Sequence, residues 1–256
     1  MTIVLGIEST CDETACAIVR DGIEILSNIV ASQADMHEIY GGVVPELACR
    51  QHIDMIIPVI DQALEEASLT LEDVDVISVA KGPGLIGAIL IGLNTAKTLS
   101  LSLEKPLIGV NHIEAHLYAS IMTHPESVLF PALGVVLSGG HTEMVRMESI
   151  GQYEKIGATV DDALGEAFDK VAMILGLPYP GGPQIEKLAK KGSFGKFTLL
   201  PGKVKERPLD FSLSGLKTRV LYAAKGRNAN KKSQLIITEE EKADLAYAFQ
   251  EVALRD

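Results

Sequence analysis

The stretch Asn111-His-Ile-Glu-Ala-His116 places two histidines four residues apart in a chain that has six. On a helix, positions i and i+4 share a face, so the rings of His112 and His116 can reach one ion. The same spacing occurs in HExxH zinc peptidases, where the glutamate directly after the first histidine is the general base. Here Glu114 comes two residues on, ~200° around a helix that advances about 100° per residue. It points off the shared face, and a peptidase would lack its base. Catalytic metals usually hold three protein ligands, and two histidines with one carboxylate suit Fe(II) or Zn(II). A lone HxxxH also serves as a core or capping pair, so a third ligand has to come from elsewhere in the fold.

Four further stretches carry polar chemistry. In Leu137-Ser-Gly-Gly-His-Thr142, paired glycines let backbone N–H groups approach a phosphate or carboxylate, and Ser138 and Thr142 add hydroxyl donors. An ordinary tight hairpin is the alternative. KGPGLIGA at 81–88 lacks the GK[ST] ending of a Walker loop and reads better as close packing of a helix on a sheet. Asp169 offers a carboxylate that can accept from both ribose hydroxyls, and the turn Gly181-Gly182-Pro183 can lie flat against a base. Solvation or an ion pair with Lys170 is the plainer role for Asp169. In DFSLSGLKTRV at 210–220, helix capping explains the serines, whereas a phosphate-facing helix start explains both the serines and the cations Lys217 and Arg219.

The elements that must position these residues follow from hydrophobic period and turn chemistry. IVLGIE, ACAIVRDG and IEILSNIVASQ read as three strands, with a hairpin signal at Asp21-Gly22. Pro45 opens a helix with Leu47, Ile53, Ile56, Ile57, Ile60 and Leu64 expected on one face, and Pro58 should kink or split it. VDVISVAKG and PLIGVN are strands, GPGLIGAILIGLNTAKTLSLSL is a glycine loop entering a helix, and HIEAHLYASIM is a helix. ALGVVLSGGHTEMVRMESIGQYEKIG then repeats the opening strand-turn-strand pattern, and DDALGEAFDKVAMILG is a helix. TEEEKADLAYAFQEVALRD is another, capped by Thr238 with Glu241 at the third position. Two lobes that each start with a β-meander and a phosphate-facing turn predict an α/β, two-lobed actin/Hsp70/sugar-kinase-like (ribonuclease H-like) fold. Such a fold binds a nucleotide between lobes, here expected at 1–125 and 126–256. The second lobe is expected to be incomplete, truncated at its C-terminus.

Composition agrees with a soluble protein: 47% apolar and 22% charged residues in 256. The N-terminus has no basic leader or cleavage site, and the apolar run Leu85–Leu93 is too short to span a bilayer. Three cysteines without a CxxC pair argue for a reducing compartment, and a cytoplasmic protein with no membrane partner is expected. Charge is uneven. Residues 1–186 carry 8 Lys/Arg against 26 Asp/Glu, whereas residues 187–242 carry 14 against 5. A basic segment on an acidic protein suits a local anionic partner such as nucleic acid, or else is a solvated lysine-rich surface.

LGIESTCDET, KGPGLIG, NHIEAH, LSGGHT, GEAFDKVA, YPGGP and DFSLSGLKT occur in this order across nearly the whole chain. Together they resemble the tRNA N6-adenosine threonylcarbamoyltransferase family, long mislabelled as a glycoprotease, and CDET is similar to its bacterial and organellar members. The resemblance implies transfer of a threonylcarbamoyl group from threonylcarbamoyl-AMP to N6 of adenosine 37, in tRNAs reading codons that begin with A. It implies that His112 and His116 hold one divalent metal, Fe(II) or alternatively Zn(II). It makes Val136, Leu137, Ser138, Gly139 and Gly140 a substrate loop, and Asp169 and Gly182 nucleoside contacts. Glu186 stands where many members have aspartate and would keep the ribose contact through a longer side chain. Asp12 and Glu13 lie in the first loop without an assigned role. The implied partners are tRNA, an inactive paralogue as heterodimer partner and a small ATPase. Family members continue further, with an asparagine contact and an aspartate as third metal ligand, and neither region is in this chain.

The chemistry is consistent with that reading. The donor is a mixed anhydride with a good leaving group, so positioning N6 and stabilising developing charge suffice. No covalent nucleophile is needed. The rival readings are an actin-fold ATPase or small-molecule kinase, a metallopeptidase, and a non-catalytic paralogue.

Overall fold

The computed structural model describes residues 1–124, 128–205, 207–229 and 233–255. The chain divides into two compact units, Met1–Val128 and Leu129–Asp256. The boundary expected between 125 and 126 falls in residues 125–127, outside the described residues.

The first unit opens with β1 (Ile3–Glu8), β2 (Glu13–Arg20) and β3 (Glu24–Ser32), an antiparallel meander. Asp21 and Gly22 at the β2–β3 turn have φ of 51° and 75°, the two positive values of a type I′ turn, which the Ile23 N–H closes on the Arg20 carbonyl at 3.1 Å. After α1 (Ala34–Glu38) and α2 (Pro45–Glu66) come β4 (Val76–Gly82), α3 (Ile86–Leu103), β5 (Leu107–Asn111) and α4 (His112–Thr123). The sheet order is β3-β2-β1-β4-β5, with β4 parallel to both β1 and β5. Alternation along β1 buries Ile3, Leu5 and Ile7 against Ile18, Ile56, Ile60, Ile77 and Val79. Truncating the fully buried Leu5 to alanine costs about 2–5 kcal/mol.

Two expectations about α2 need correction. Pro58 does not split it: the helix is continuous from Pro45 to Glu66. The proline removes one donor to the Asp54 carbonyl, and it does so on the exposed side of the helix, where both residues face solvent. The buried face is Ala48, His52, Ile56, Val59, Ile60, Ala63 and Leu64, while Ile53 and Ile57 remain 59% and 52% exposed. Helix α3 is the one element among the described residues with the length and apolar content of a membrane span, and a core helix passes the same test. It packs on β4 and α2.

The second unit opens with another antiparallel meander, β6 (Ala132–Leu137), β7 (Thr142–Ser149) and β8 (Gln152–Ala158), in that spatial order. It continues through α5 (Leu164–Ile174), α6 (Gly181–Ala189), the short antiparallel pair β9 (Gly202–Lys203) and β10 (Phe211–Ser212), α7 (Ser214–Lys225) and α8 (Glu239–Arg255). Val171, Leu175, Ile185, Leu216, Val220, Leu245 and Phe249 form its core. Phe168 meets Phe249 edge-on at 4.9 Å. Thr238 and Glu241 make the expected reciprocal cap at the start of α8, at 2.7 and 3.2 Å.

Candidate functional site

The histidine pair sits at a strand-to-helix corner. Asn111 ends β5, and its side chain accepts from the Ile113 and Glu114 N–H groups at 2.9 and 3.3 Å, which starts α4 at His112. One turn later His116 turns toward the same point, and the two Nε2 atoms lie 3.1 Å apart. Two nitrogens bound to one ion at about 2.0–2.1 Å each would be separated by roughly 3 Å. The donor pair therefore fits a metal, and among the described residues no group of three or more His, Cys, Asp or Glu converges to complete the set.

Glu8, the last residue of β1, reaches the other side of the first ring: His112 Nδ1 is 3.1 Å from Glu8 Oε2 and 3.3 Å from Thr10 Oγ1. The Thr10 N–H donates to the second Glu8 oxygen. Burial pushes the Glu8 carboxyl up, but the His112 and Thr10 hydrogen bonds outweigh it and leave its pKa below the ordinary value. Burial and then the neighbouring His112 lower the pKa of His116, which favours the neutral imidazole a metal needs.

The first loop is fastened from below. Buried His52 lies with Nε2 3.0 Å from the Cys11 carbonyl and Nδ1 2.7 Å from Thr14 Oγ1. A carbonyl only accepts, so Nε2 carries the proton and Thr14 donates to Nδ1. Burial, then Asp12, raises the Cys11 thiol to about 12, and burial raises Cys16 to about 12, so neither is an activated nucleophile. The start of α3 docks on this loop: Leu85 N–H donates to the Thr10 carbonyl at 2.8 Å, and Ser9 Oγ to the Ala88 carbonyl at 2.9 Å. That agrees with reading KGPGLIGA as a packing element.

In the second unit the Ser138–Thr142 turn closes on itself. Ser138 N–H donates to the His141 carbonyl at 2.8 Å, and His141 N–H donates to Ser138 Oγ at 3.0 Å. Thr142, expected to offer its hydroxyl to an anion, is instead buried and accepts from the Leu164 N–H at 2.7 Å. Val136 is 4% exposed, so only its backbone can meet a ligand, while Leu137 is 59% exposed. Gly139 and Gly140 face open space. Gly165, at the start of α5, lies so close that a Cβ there would sit 2.8 Å from Gly139 Cα. The turn is thereby seated on the first turn of α5, whose Gly165 N–H donates to the Ser138 carbonyl at 3.2 Å and whose positive end favours negative charge.

Asp169 lies on the same helix and accepts the Gly181 N–H at 2.7 Å. A Cβ on Gly181 would fall 2.6 Å from Asp169 Cα, so the close approach of α5 to this turn requires glycine. Gly182 faces open space. Glu186, one turn along α6, pairs with Lys190 at 2.6 Å on the surface.

Two aspartates that sequence reasoning did not single out organise this unit. Asp161 accepts from the hydroxyls of Ser212 and Ser214 and from the N–H groups of Leu213 and Ser214, at 2.9 and 3.1 Å for the latter two. Burial opposes its ionisation, but these four donors hold its pKa down to about 2. Asp162 pairs with Lys170 at 2.6 Å and with Lys217. An internal carboxylate thus occupies the start of α7 where a phosphate was one expected reading, and Lys217 is committed to Asp162. The Asp-Asp pair before an apolar helix was the available signal.

Comparison with known proteins gives these residues a context. A sequence model of the tRNA N6-adenosine threonylcarbamoyltransferase family matches residues 24–256. The enzyme of that name from Protochlamydia amoebophila (strain UWE25) is 68% identical over 254 residues, 99% of this chain and 74% of its own length. That from Bacillus subtilis (strain 168) is 52% identical over 96% of this chain and 69% of its own length. Among solved structures, YeaZ from Pseudomonas aeruginosa aligns with 17% identity and a TM-score of 0.41, covering 62% of this chain and 65% of its own. With both lobes' motifs, the family match and identity at this level over nearly every residue, the chain belongs to the tRNA N6-adenosine threonylcarbamoyltransferase family.

Proposed function

We propose that the chain transfers the threonylcarbamoyl group of threonylcarbamoyl-AMP to N6 of adenosine 37 in tRNAs reading codons that begin with A. The observation that carries this is 68% identity over 254 residues to an enzyme named for tRNA N6-adenosine threonylcarbamoyl transfer. It acts as a transferase on tRNA, and we assign it to the cytoplasm. The fold is mixed α/β, and the meander that opens each unit supports the actin-like, ribonuclease H-like reading.

The roles of individual residues follow from what each side chain can do. His112 and His116 would hold one divalent ion, Fe(II) or Zn(II), which supplies Lewis acidity and a template for the substrate when bound. The open backbone of Gly139 and Gly140 beside the start of α5 suits an anionic or carbonyl group of the donor. Asp169 carries a carboxylate, whose two oxygens together offer about four acceptor sites, and can accept from a ribose hydroxyl, with Gly182 offering a flat surface beside it. Glu186 would have to leave Lys190 to join them. The exposed side chains of Ile53 and Ile57 on α2 and of Ile86 and Leu90 on α3 support a protein partner, the inactive paralogue, on the first unit. A small ATPase would then support turnover.

The test is to incubate the protein with threonylcarbamoyl-AMP and an unmodified tRNA, digest to nucleosides and look for N6-threonylcarbamoyladenosine by mass spectrometry. Transfer of γ-phosphate from ATP to a small molecule, with no modified nucleoside, would favour a kinase of the same fold instead.

A further inference from the structure

We infer that Glu8 is the positioning residue that fixes the tautomer of His112 and thereby sets the affinity of the histidine pair for a metal. The inference rests on the metal reading above. A carboxylate only accepts hydrogen bonds, so Glu8 Oε2, 3.1 Å from His112 Nδ1, keeps the proton on that nitrogen. The lone pair of the neutral ring is then on Nε2, the atom 3.1 Å from His116 Nε2. In the other tautomer an N–H would point at the place where the two rings converge, and two acceptors would face each other at Nδ1.

Glu8 is itself held. Its other oxygen takes the Thr10 N–H, and its backbone pairs with Ala15 across β1–β2. Thr10 Oγ1 stands 3.3 Å from the same ring nitrogen. The orienting group is therefore anchored in the sheet, while the ligands it orients are on α4. Carboxylates in this position on a metal-binding histidine also raise its basicity, and their loss typically weakens metal affinity by ~10–100-fold.

The experiment titrates cobalt(II) into the wild-type protein, E8Q and E8A, following the visible absorption of the bound ion with a competing chelator. In parallel, long-range 15N NMR of the metal-free proteins reads the tautomer of His112. We expect E8A to bind cobalt about 10–100-fold more weakly, with an altered spectrum. We expect E8Q to fall between, because an amide presents oxygen at only one of the two positions that face His112 and Thr10 and an NH2 donor at the other. The His112 proton should reside on Nδ1 in the wild type and redistribute in E8A. E8Q preserves shape, so it decides the matter if E8A does not fold. Cobalt affinity and spectrum indistinguishable from wild type in folded variants would overturn the role of Glu8 while leaving the metal reading intact. Failure of the wild type to bind cobalt would overturn both.

Discussion

Asp169 and Gly181 are joined by a 2.7 Å hydrogen bond from the glycine N–H to the aspartate carboxylate. This bond ties α5 to the first residue of α6, so the residue proposed to hold the nucleoside also has a structural duty. The two duties can be separated. Asp169→Asn keeps an oxygen that can accept from Gly181, whereas Asp169→Ala does not. Both should weaken threonylcarbamoyl-AMP binding by about 1–3 kcal/mol, the scale for hydrogen bonds to charged groups. Only the alanine variant should also lose about 1 kcal/mol of stability. Calorimetry and urea denaturation read the two effects, and unchanged affinity in both variants would make Asp169 purely structural.

The neighbouring glycines should behave oppositely. Gly181→Ala forces a Cβ to within 2.6 Å of Asp169 Cα and 2.8 Å of the Phe168 carbonyl, and should destabilise by about 1–3 kcal/mol. Gly182→Ala meets open space and, inside α6, should leave stability unchanged or raise it by up to about 1 kcal/mol. It should nonetheless impair donor binding if a base stacks there. Full affinity in a stable Gly182→Ala protein would exclude that contact.

Asp161 predicts a pH dependence. Its folded-state pKa, about 2, lies below the ordinary 3.8, so its stabilising effect is complete above about pH 4. That effect is lost as pH falls through the folded value, because the four donors then face a protonated acid. Asp161→Ala should cost about 1–2 kcal/mol near neutrality, as loss of a helix cap does. The gap between wild type and variant should close as pH approaches 2. A gap that is independent of pH from 7 to 2 would contradict this account of the α7 start.

These contacts also explain what is legible in the sequence. The Asp21-Gly22 hairpin, the Thr238–Glu241 cap and the shared face of His112 and His116 are local, set within five residues, and each is visible there. Glu8 meets His112 across 104 positions, and Asp161 meets Leu213 across 52. No period or spacing encodes such a pair, so Glu8 reads as the end of a strand and Asp161 as the first residue of a helix, which in the structure begins only at Leu164. Helix α2 departs from expectation for a different reason. Side-chain type alone points its isoleucines inward, yet His52 is buried because it clamps the first loop, and Ile53 and Ile57 stay outside. Thr142 and Lys217 were expected to face an anion, and the protein itself supplies their partners, the Leu164 N–H and the Asp162 carboxylate.

The basic segment should bind tRNA backbone. Lys205 and Arg207 are exposed, with Arg207 paired to Asp210 at 3.2 Å, and of Lys203 only the backbone is described. Reversing all three to glutamate should weaken tRNA binding and flatten its salt dependence, by roughly 0.7–0.9 in the log–log slope for each phosphate no longer neutralised. Donor binding should not change. An unaltered salt slope would identify the segment as a solvated surface.

The central claim is transfer to one nitrogen of one nucleotide. Threonylcarbamoyl-AMP labelled with 13C in the threonine should be incubated with stoichiometric protein and either of two tRNA transcripts, identical except for adenosine or guanosine at position 37. The account predicts label in N6-threonylcarbamoyladenosine from the first transcript, none from the second, and loss of the product in His112→Ala and His116→Ala proteins. Label on both transcripts, or on neither when a wild-type relative modifies the first under the same conditions, would contradict it.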